Sequence, residues 1–141
     1  MSYVLRPTSY GLRLIRMTEP YPSYFGFEDL EVYQLSLEFI AEVYRLTQSF
    51  PRTEQFGLSH QLQRAATSIA LNIAEGRGRN SDKDFVRFLG VARSSLFEVV
   101  SGLQVAVRLG YATEGEINAF LAKASRIKGK LNALARALDS A

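Results

Sequence analysis

The chain has no cysteine, no tryptophan and a single histidine, His60, in its 141 residues. Without cysteine there are no disulfides and no thiolate metal sites, and a reducing cytoplasm is the expected compartment. One histidine cannot supply the two Glu-x-x-His pairs of a di-iron bundle, nor a His/Cys zinc cluster. It lies near the start of a helical segment, where a polar surface role is expected. No apolar run approaches the roughly 18 residues of a membrane span. The N-terminal segment MSYVLRPTSYGLRLIRM has no continuous apolar core followed by a small-residue cleavage site, so it makes a poor signal peptide. Proline is scarce and uneven: Pro7, Pro20 and Pro22 fall in the first 26 residues, leaving only Pro51 for the rest.

Charge of one sign is also scarce. The formal net charge is +3, and Arg6, Arg13 and Arg16, with no acid in residues 1–16, account for all of it. Residues 17–141 are neutral overall, so a nucleic-acid argument has to rest on local clusters. Within that body the charge is polarised. Glu28, Asp29, Glu31, Glu38 and Glu42 crowd residues 27–50 against Arg45 alone, while bases outnumber acids after residue 50.

Hydrophobic residues make up 47% and charged residues 22% of the chain, ordinary values for one globular domain. Residues 1–26 keep neither a 3.6 nor a 2.0 period. They are expected to form an N-terminal arm, poorly structured or extended, with the alternative that translation begins at Met17 rather than Met1. Residues 27–141 are helical throughout. Helix one is expected from Glu28 to Gln48, with Leu30, Tyr33, Leu37, Ile40, Ala41 and Tyr44 at three- and four-residue steps and acids in the first turn. Helix two is expected over residues 53–75, with Leu58, Leu62, Ala65, Ile69 and Ile73 on one face and a stop at Gly76. Helix three opens at Ser81, in a near capping box with Asp84, and continues through Phe85, Leu89, Ala92, Leu96, Val99, Leu103 and Ala106. Helix four begins near Thr113 and follows Ile117, Phe120, Leu121, Ala124, Ile127, Leu131, Leu134 and Leu138. Short connections make this an all-α, antiparallel up-down-up-down four-helix bundle, with no strand pair competing.

Two helices carry more apolar surface than a monomer needs. On helix one, Val32, Phe39, Val43, Leu46 and Phe50 form a second line nearly opposite Leu30 and Leu37. On helix three, Val86, Val91, Phe97 and Val105 lie off the main stripe. A surface helix normally has one apolar stripe, and large exposed apolar areas mark interfaces. Val32, Phe39, Val43, Leu46, Phe50, Val91 and Phe97 are therefore the expected oligomer interface, with packing beneath the arm's tyrosines as the alternative.

Helix two has an unusual flank. Ser68, Asn72 and Glu75 line the edge of its core face with Gln61, and Arg64 stands slightly further round. Asn in a helical seam fixes register, and the alanines around it permit close helix approach, so a polar packing role is expected for Ser68, Asn72 and Glu75. Arg77 and Arg79, between and after glycines, suit phosphate contacts. Arg64 and the Lys123, Arg126, Lys130 stripe extend the candidate set for RNA or DNA, with a solvated face or pairing to the acidic strip of helix one as the alternative. No catalytic residues, metal site or cofactor are singled out: there is no Gly-rich phosphate loop after a strand, and Ser94-Ser95 has no base at local spacing.

The residues from Phe27 onward resemble the 23S rRNA intervening-sequence protein family, bacterial four-helix bundles. The resemblance rests on Phe50-Pro51 with Glu54 and Phe56-Gly57-Leu58, then Gln61, Arg64, Ala65, Ser68, Ile69 and Asn72 to Gly76, then Ser95-Leu96, Glu98 and Leu109-Gly110-Tyr111. It implies a homopentameric ring of bundles and kinship with the basic accessory proteins of diversity-generating retroelements. The family pattern does not include the N-terminal arm, and the near-neutral body lacks the charge of a general nucleic-acid binder. The expected protein is a non-enzymatic self-associating bundle with a nucleic-acid role, or alternatively a protein–protein adaptor, with no membrane and no small-molecule substrate.

Overall fold

The computed structural model describes the backbone of residues 3–8 and 11–16, and residues 25–139 in full. Four helices follow one another in the second region: α1 (Glu31–Thr47), α2 (Leu58–Arg77), α3 (Asp82–Arg108) and α4 (Glu114–Asp139). Each packs on its sequence neighbour and α4 returns to α1, which closes the antiparallel bundle.

The helix ends are set by local chemistry. A short 3-10 turn, Gly26–Asp29, leads into α1, and another, Arg52–Glu54, follows Pro51 and leads toward α2. These turns replace the first residues expected for helices one and two. Pro51 lacks an amide hydrogen to continue α1. Ser81 caps α3, its Oγ accepting from the Asp84 amide at 3.1 Å. Thr113 caps α4 in a reciprocal box: Glu116 N donates to Thr113 Oγ1, and Thr113 N donates to Glu116 Oε1. Helix α2 runs through Gly76 to Arg77, one turn-step beyond the expected stop.

The core of α2, α3 and α4 lies on the expected lines. Leu62, Ala65, Ile69 and Ile73 of α2 are buried, as are all seven expected positions of α3 and Ile117, Ala124, Ile127 and Leu131 of α4. Helix α1 differs. Its core line is Val32, Leu35, Phe39, Val43 and Leu46, continued by Phe50, with Phe39 and Val43 fully buried. Those positions, apart from Leu35, were expected to face another copy, and here they fill the interior of a single chain. Leu37 and Tyr44, expected in the core, stand 38% and 40% exposed. Leu35 and Ser36 fill the gap between Val32 and Phe39. Ser36 is fully buried, its Oγ donating to Val32 O at 2.7 Å, so its hydroxyl is satisfied within its own helix.

The N-terminal region also differs. Residues Tyr3–Thr8 (β1) and Gly11–Arg16 (β2) pair antiparallel, from Tyr3 opposite Arg16 to Thr8 opposite Gly11. A strand pair was not expected, because the segment has no alternating pattern and Ser9-Tyr10 is not a hairpin-turn signature. Pro7 is compatible with it, since both strands of a two-stranded sheet are edges. Met1, Met17 and the tyrosines and prolines of 17–24 lie outside the described residues.

Because Phe39 is an interior residue of one chain, Phe39→Ala should cost about 3–5 kcal/mol of unfolding free energy. Urea unfolding at several protein concentrations checks this: the loss should appear at every concentration, as an interface residue's would not.

Candidate interaction site

Helices α2 and α3 make the most extensive contact in the bundle, and small residues permit it. A Cβ on Gly76 would lie 2.7 Å from Phe88 Cβ, and one on Gly102 would lie 2.6 Å from Leu62 Cδ2. Ala65 and Ala66 are buried between them. The approach lets two short side chains bridge the helices: Ser68 Oγ and Ser95 Oγ are 2.8 Å apart. Asn72 Nδ2 donates to Ser68 O at 2.8 Å and to Ser68 Oγ at 2.9 Å. Asn72 thus bonds Ser68, and Ser68 in turn reaches Ser95 on the neighbouring helix. Glu75 turns the other way and pairs with Arg79 at 2.8 Å within its own chain segment.

Above this seam lies a groove of about 200 Å³, walled by Gln61, Arg64 and Ser68 of α2 and by Ser95 and Glu98 of α3. Arg64 and Glu98 are exposed and make no ion pair with each other or with any described residue. Val91, 41% exposed, stands one turn from Ser95 at the groove's end. On the other edge of α2 the surface turns apolar. Tyr44 Oη lies 3.4 Å from Thr67 Oγ1. Leu71, 62% exposed, is one turn along α2 from Thr67, and Leu37 is two turns back from Tyr44 along antiparallel α1. Leu37, Tyr44 and Leu71 thus lie on the outer side of the α1–α2 pair. The pattern of the sequence did not single out Leu71. The available signal was a large aliphatic among Arg64, Ser68 and Glu75, on the outward side of a helix whose core line was already complete.

Three of the six candidate basic residues, Lys123, Lys130 and Arg79, hold carboxylates. Lys123 bonds Glu42 and lies 3.7 Å from Glu38, and Lys130 pairs with Glu31 at 2.9 Å. The acidic strip of α1 is therefore the counter-surface of α4. The hydrogen bond and charge of Lys130, aided by Arg126, hold the Glu31 carboxyl below its ordinary value against a small desolvation effect. Arg79 also lies over the Phe88 ring, 4.7 Å from its centroid. Arg77 sets its guanidinium against Gly26, within 3.0–3.3 Å of where a Cβ would stand. Arg64 and Arg126 are exposed and carry no ion pair among the described residues. On α3, Phe97 is exposed beneath the Arg93 guanidinium, 4.6 Å from the ring centroid.

A cavity of about 540 Å³ opens between the end of α3 and the start of α4. Its polar lining is Ser101, Gln104, Arg108, Glu114 and Asn118. Among the described residues, no three His, Asp or Glu side chains converge to hold a metal, and no helix is long and apolar enough to cross a membrane.

An antiparallel four-helix bundle, tightly joined at α2–α3 and neutralised internally along α1–α4, is the class of protein these features define. The chain belongs to the 23S rRNA-intervening sequence protein family, whose model matches residues 28–133. It is similar to a crystal structure described as a protein of unknown function from the S23 ribosomal protein family of Bacteroides thetaiotaomicron. That likeness has a TM-score of 0.68 and 27% identity, and covers 74% of this chain and 97% of the other. No curated protein matches.

Since Lys123 is the counterion of Glu38 and Glu42, Lys123→Met should leave two like charges facing each other on α1. A loss of about 1–3 kcal/mol is expected, measured by urea unfolding at low salt and reduced in high salt, where the repulsion is screened.

Proposed function

We propose that this protein is a non-enzymatic, self-associating bundle whose working form is a homo-oligomer that serves as a protein–protein scaffold. The observation that carries the proposal is the outer face of α1 and α2, where Leu37, Tyr44 and Leu71 are exposed together. A contiguous apolar area on a soluble helix pair is characteristic of an interface. Charged residues flank Leu71 along α2, Arg64 before it and Glu75 after it, as a polar rim surrounds the apolar centre of an interface. The face differs from the one first expected, because Val32, Phe39, Val43, Leu46 and Phe50 are used within the chain. Val91 and Phe97 remain available to an interface. A ring of five is what the family resemblance implies, and a head-to-tail contact is the geometry a five-fold ring requires.

Nucleic-acid binding is the second reading. It is favoured by Arg64 and Arg126, which stand exposed with no ion pair among the described residues, since a ring would repeat them and phosphate contacts accumulate. The scaffold reading is preferred because Lys123, Lys130 and Arg79 already hold carboxylates. Taking those bases for phosphate would expose the acids beside them.

Light scattering on the size-exclusion peak, with absorbance at 260 and 280 nm, tests both. The wild type should run as a multimer without excess 260 nm absorbance, and Leu71→Glu should shift it toward the 15.8 kDa monomer. A monomeric wild type would overturn the proposal. Excess 260 nm absorbance that high salt strips away would move the nucleic-acid reading ahead.

A further inference from the structure

The N-terminal strand pair leaves one of its edges open. Facing residues of an antiparallel ribbon alternate between hydrogen-bonded and non-hydrogen-bonded pairs. The pair that flanks a two-residue connection is of the first kind, and in this chain it is Thr8 opposite Gly11. By alternation, Arg6 opposite Arg13 and Val4 opposite Ile15 are hydrogen-bonded pairs as well, with their amides and carbonyls used inside the ribbon. Tyr3, Leu5 and Pro7 of β1 and Leu12, Leu14 and Arg16 of β2 make up the other pairs, so their backbone groups stand at the outer edges. Pro7 has no amide to offer, which blunts the β1 edge. The β2 edge has no such guard: Leu12, Leu14 and Arg16 all keep their amides.

A two-stranded ribbon is marginal in water, and further strands with an apolar face make it stable. Arg6 also stands opposite Arg13, a like-charge pair that weakens the ribbon. A second copy supplies the missing strands. We propose that the β2 edges of two copies pair antiparallel, Leu14 opposite Leu14 and Leu12 opposite Arg16 of the second copy, in a four-stranded sheet of order β1-β2-β2-β1. This register engages all three open positions of each edge and sets Arg13 opposite Ile15. Sliding it one way sets Arg13 opposite Arg13, and sliding it either way leaves one open position of each edge unpaired. In the proposed register Leu5 and Leu14 of both copies form one row across the sheet, on the face that alternation also gives to Tyr3, Pro7 and Leu12. The contact uses no residue of the matched span 28–133 and does not depend on the α1–α2 face. Residues 1–16 hold Arg6, Arg13 and Arg16 and no acid. Pairing of two such segments therefore strengthens as salt screens their repulsion, whereas phosphate binding by the same arginines weakens with salt.

The absence of cysteine permits a test on the full-length protein. In Leu14→Cys the two substituted positions of the sheet have Cα atoms about 5.5 Å apart, within disulfide reach. In Leu5→Cys they stand three strand spacings apart, about 14 Å, beyond it. Under oxidised glutathione, Leu14→Cys should form a linked dimer roughly tenfold faster than Leu5→Cys, or more, and faster at high salt than at low. Adding Leu12→Pro, which guards β2 as Pro7 guards β1, should slow the link to the Leu5→Cys rate. Adding Leu71→Glu should leave it unchanged, since the two contacts share no residue, so failure of the α1–α2 face and failure of the edge pairing are separate results. Equal rates for the two single variants, or no link in either, overturn the pairing. A link that slows as salt rises overturns it in favour of a bridging polyanion. A thiol at position 14 that neither links nor reacts with maleimide shows the edge covered by some other segment, and also overturns it.

Discussion

The close approach of α2 to α3 is the constraint on which the remaining structure depends. Gly76 lies under Phe85 and Phe88, Gly102 lies under Leu62, and Ala65 and Ala66 leave the space between. Only at this separation can Ser68 and Ser95, two of the shortest polar side chains, bond directly across the interface. A sliding of either helix past the other would break this hydrogen bond. With the helices in that register, the large residues of the other helices have a defined space to fill. Phe39 of α1 meets Phe120 of α4 edge-on, with ring centroids 6.2 Å apart, and closes the side of the bundle away from the seam.

Charge then divides the surface. The α1–α4 side is a self-neutralising zipper in which Glu31, Glu38 and Glu42 hold Lys130 and Lys123. The Lys123 pairs are partly screened from water while Glu31 stays exposed, and together these pairs occupy two bases of the Lys123, Arg126, Lys130 stripe. The α1–α2 face and the α2–α3 groove have the opposite character. They combine exposed aliphatic and aromatic side chains, Leu37, Tyr44, Leu71 and Val91, with the charges of Arg64 and Glu98.

Much of the bundle was legible in the residues. The order and approximate extent of the helices, the Ser81 cap, and the buried lines of α2, α3 and α4 follow from period and capping chemistry. Helix α1 was not resolved by period because it has two apolar lines, and one of its buried residues, Ser36, is polar by type with its hydroxyl bonded to Val32 O. Which line faced inward depended on α4, since the acidic strip had to meet Lys123 and Lys130. That is a tertiary fact no local window contains. The polar flank of α2 was visible as an anomaly, and its partner Ser95 became meaningful only when α3 was laid beside it. The pairing of β1 with β2 had no alternating pattern and no turn signature to announce it.

The central claim is that the outer face carrying Leu71, and not the Val32–Phe39–Val43 line, meets other copies. The absence of cysteine allows a direct measurement: the rate at which a maleimide labels Leu71→Cys, followed across a range of protein concentrations. The account predicts free labelling in dilute solution and protection of roughly tenfold or more as the protein assembles, because an interfacial thiol reacts only in the dissociated fraction. Labelling at the free rate at every concentration, in a protein whose mass shows it to be assembled, would contradict it.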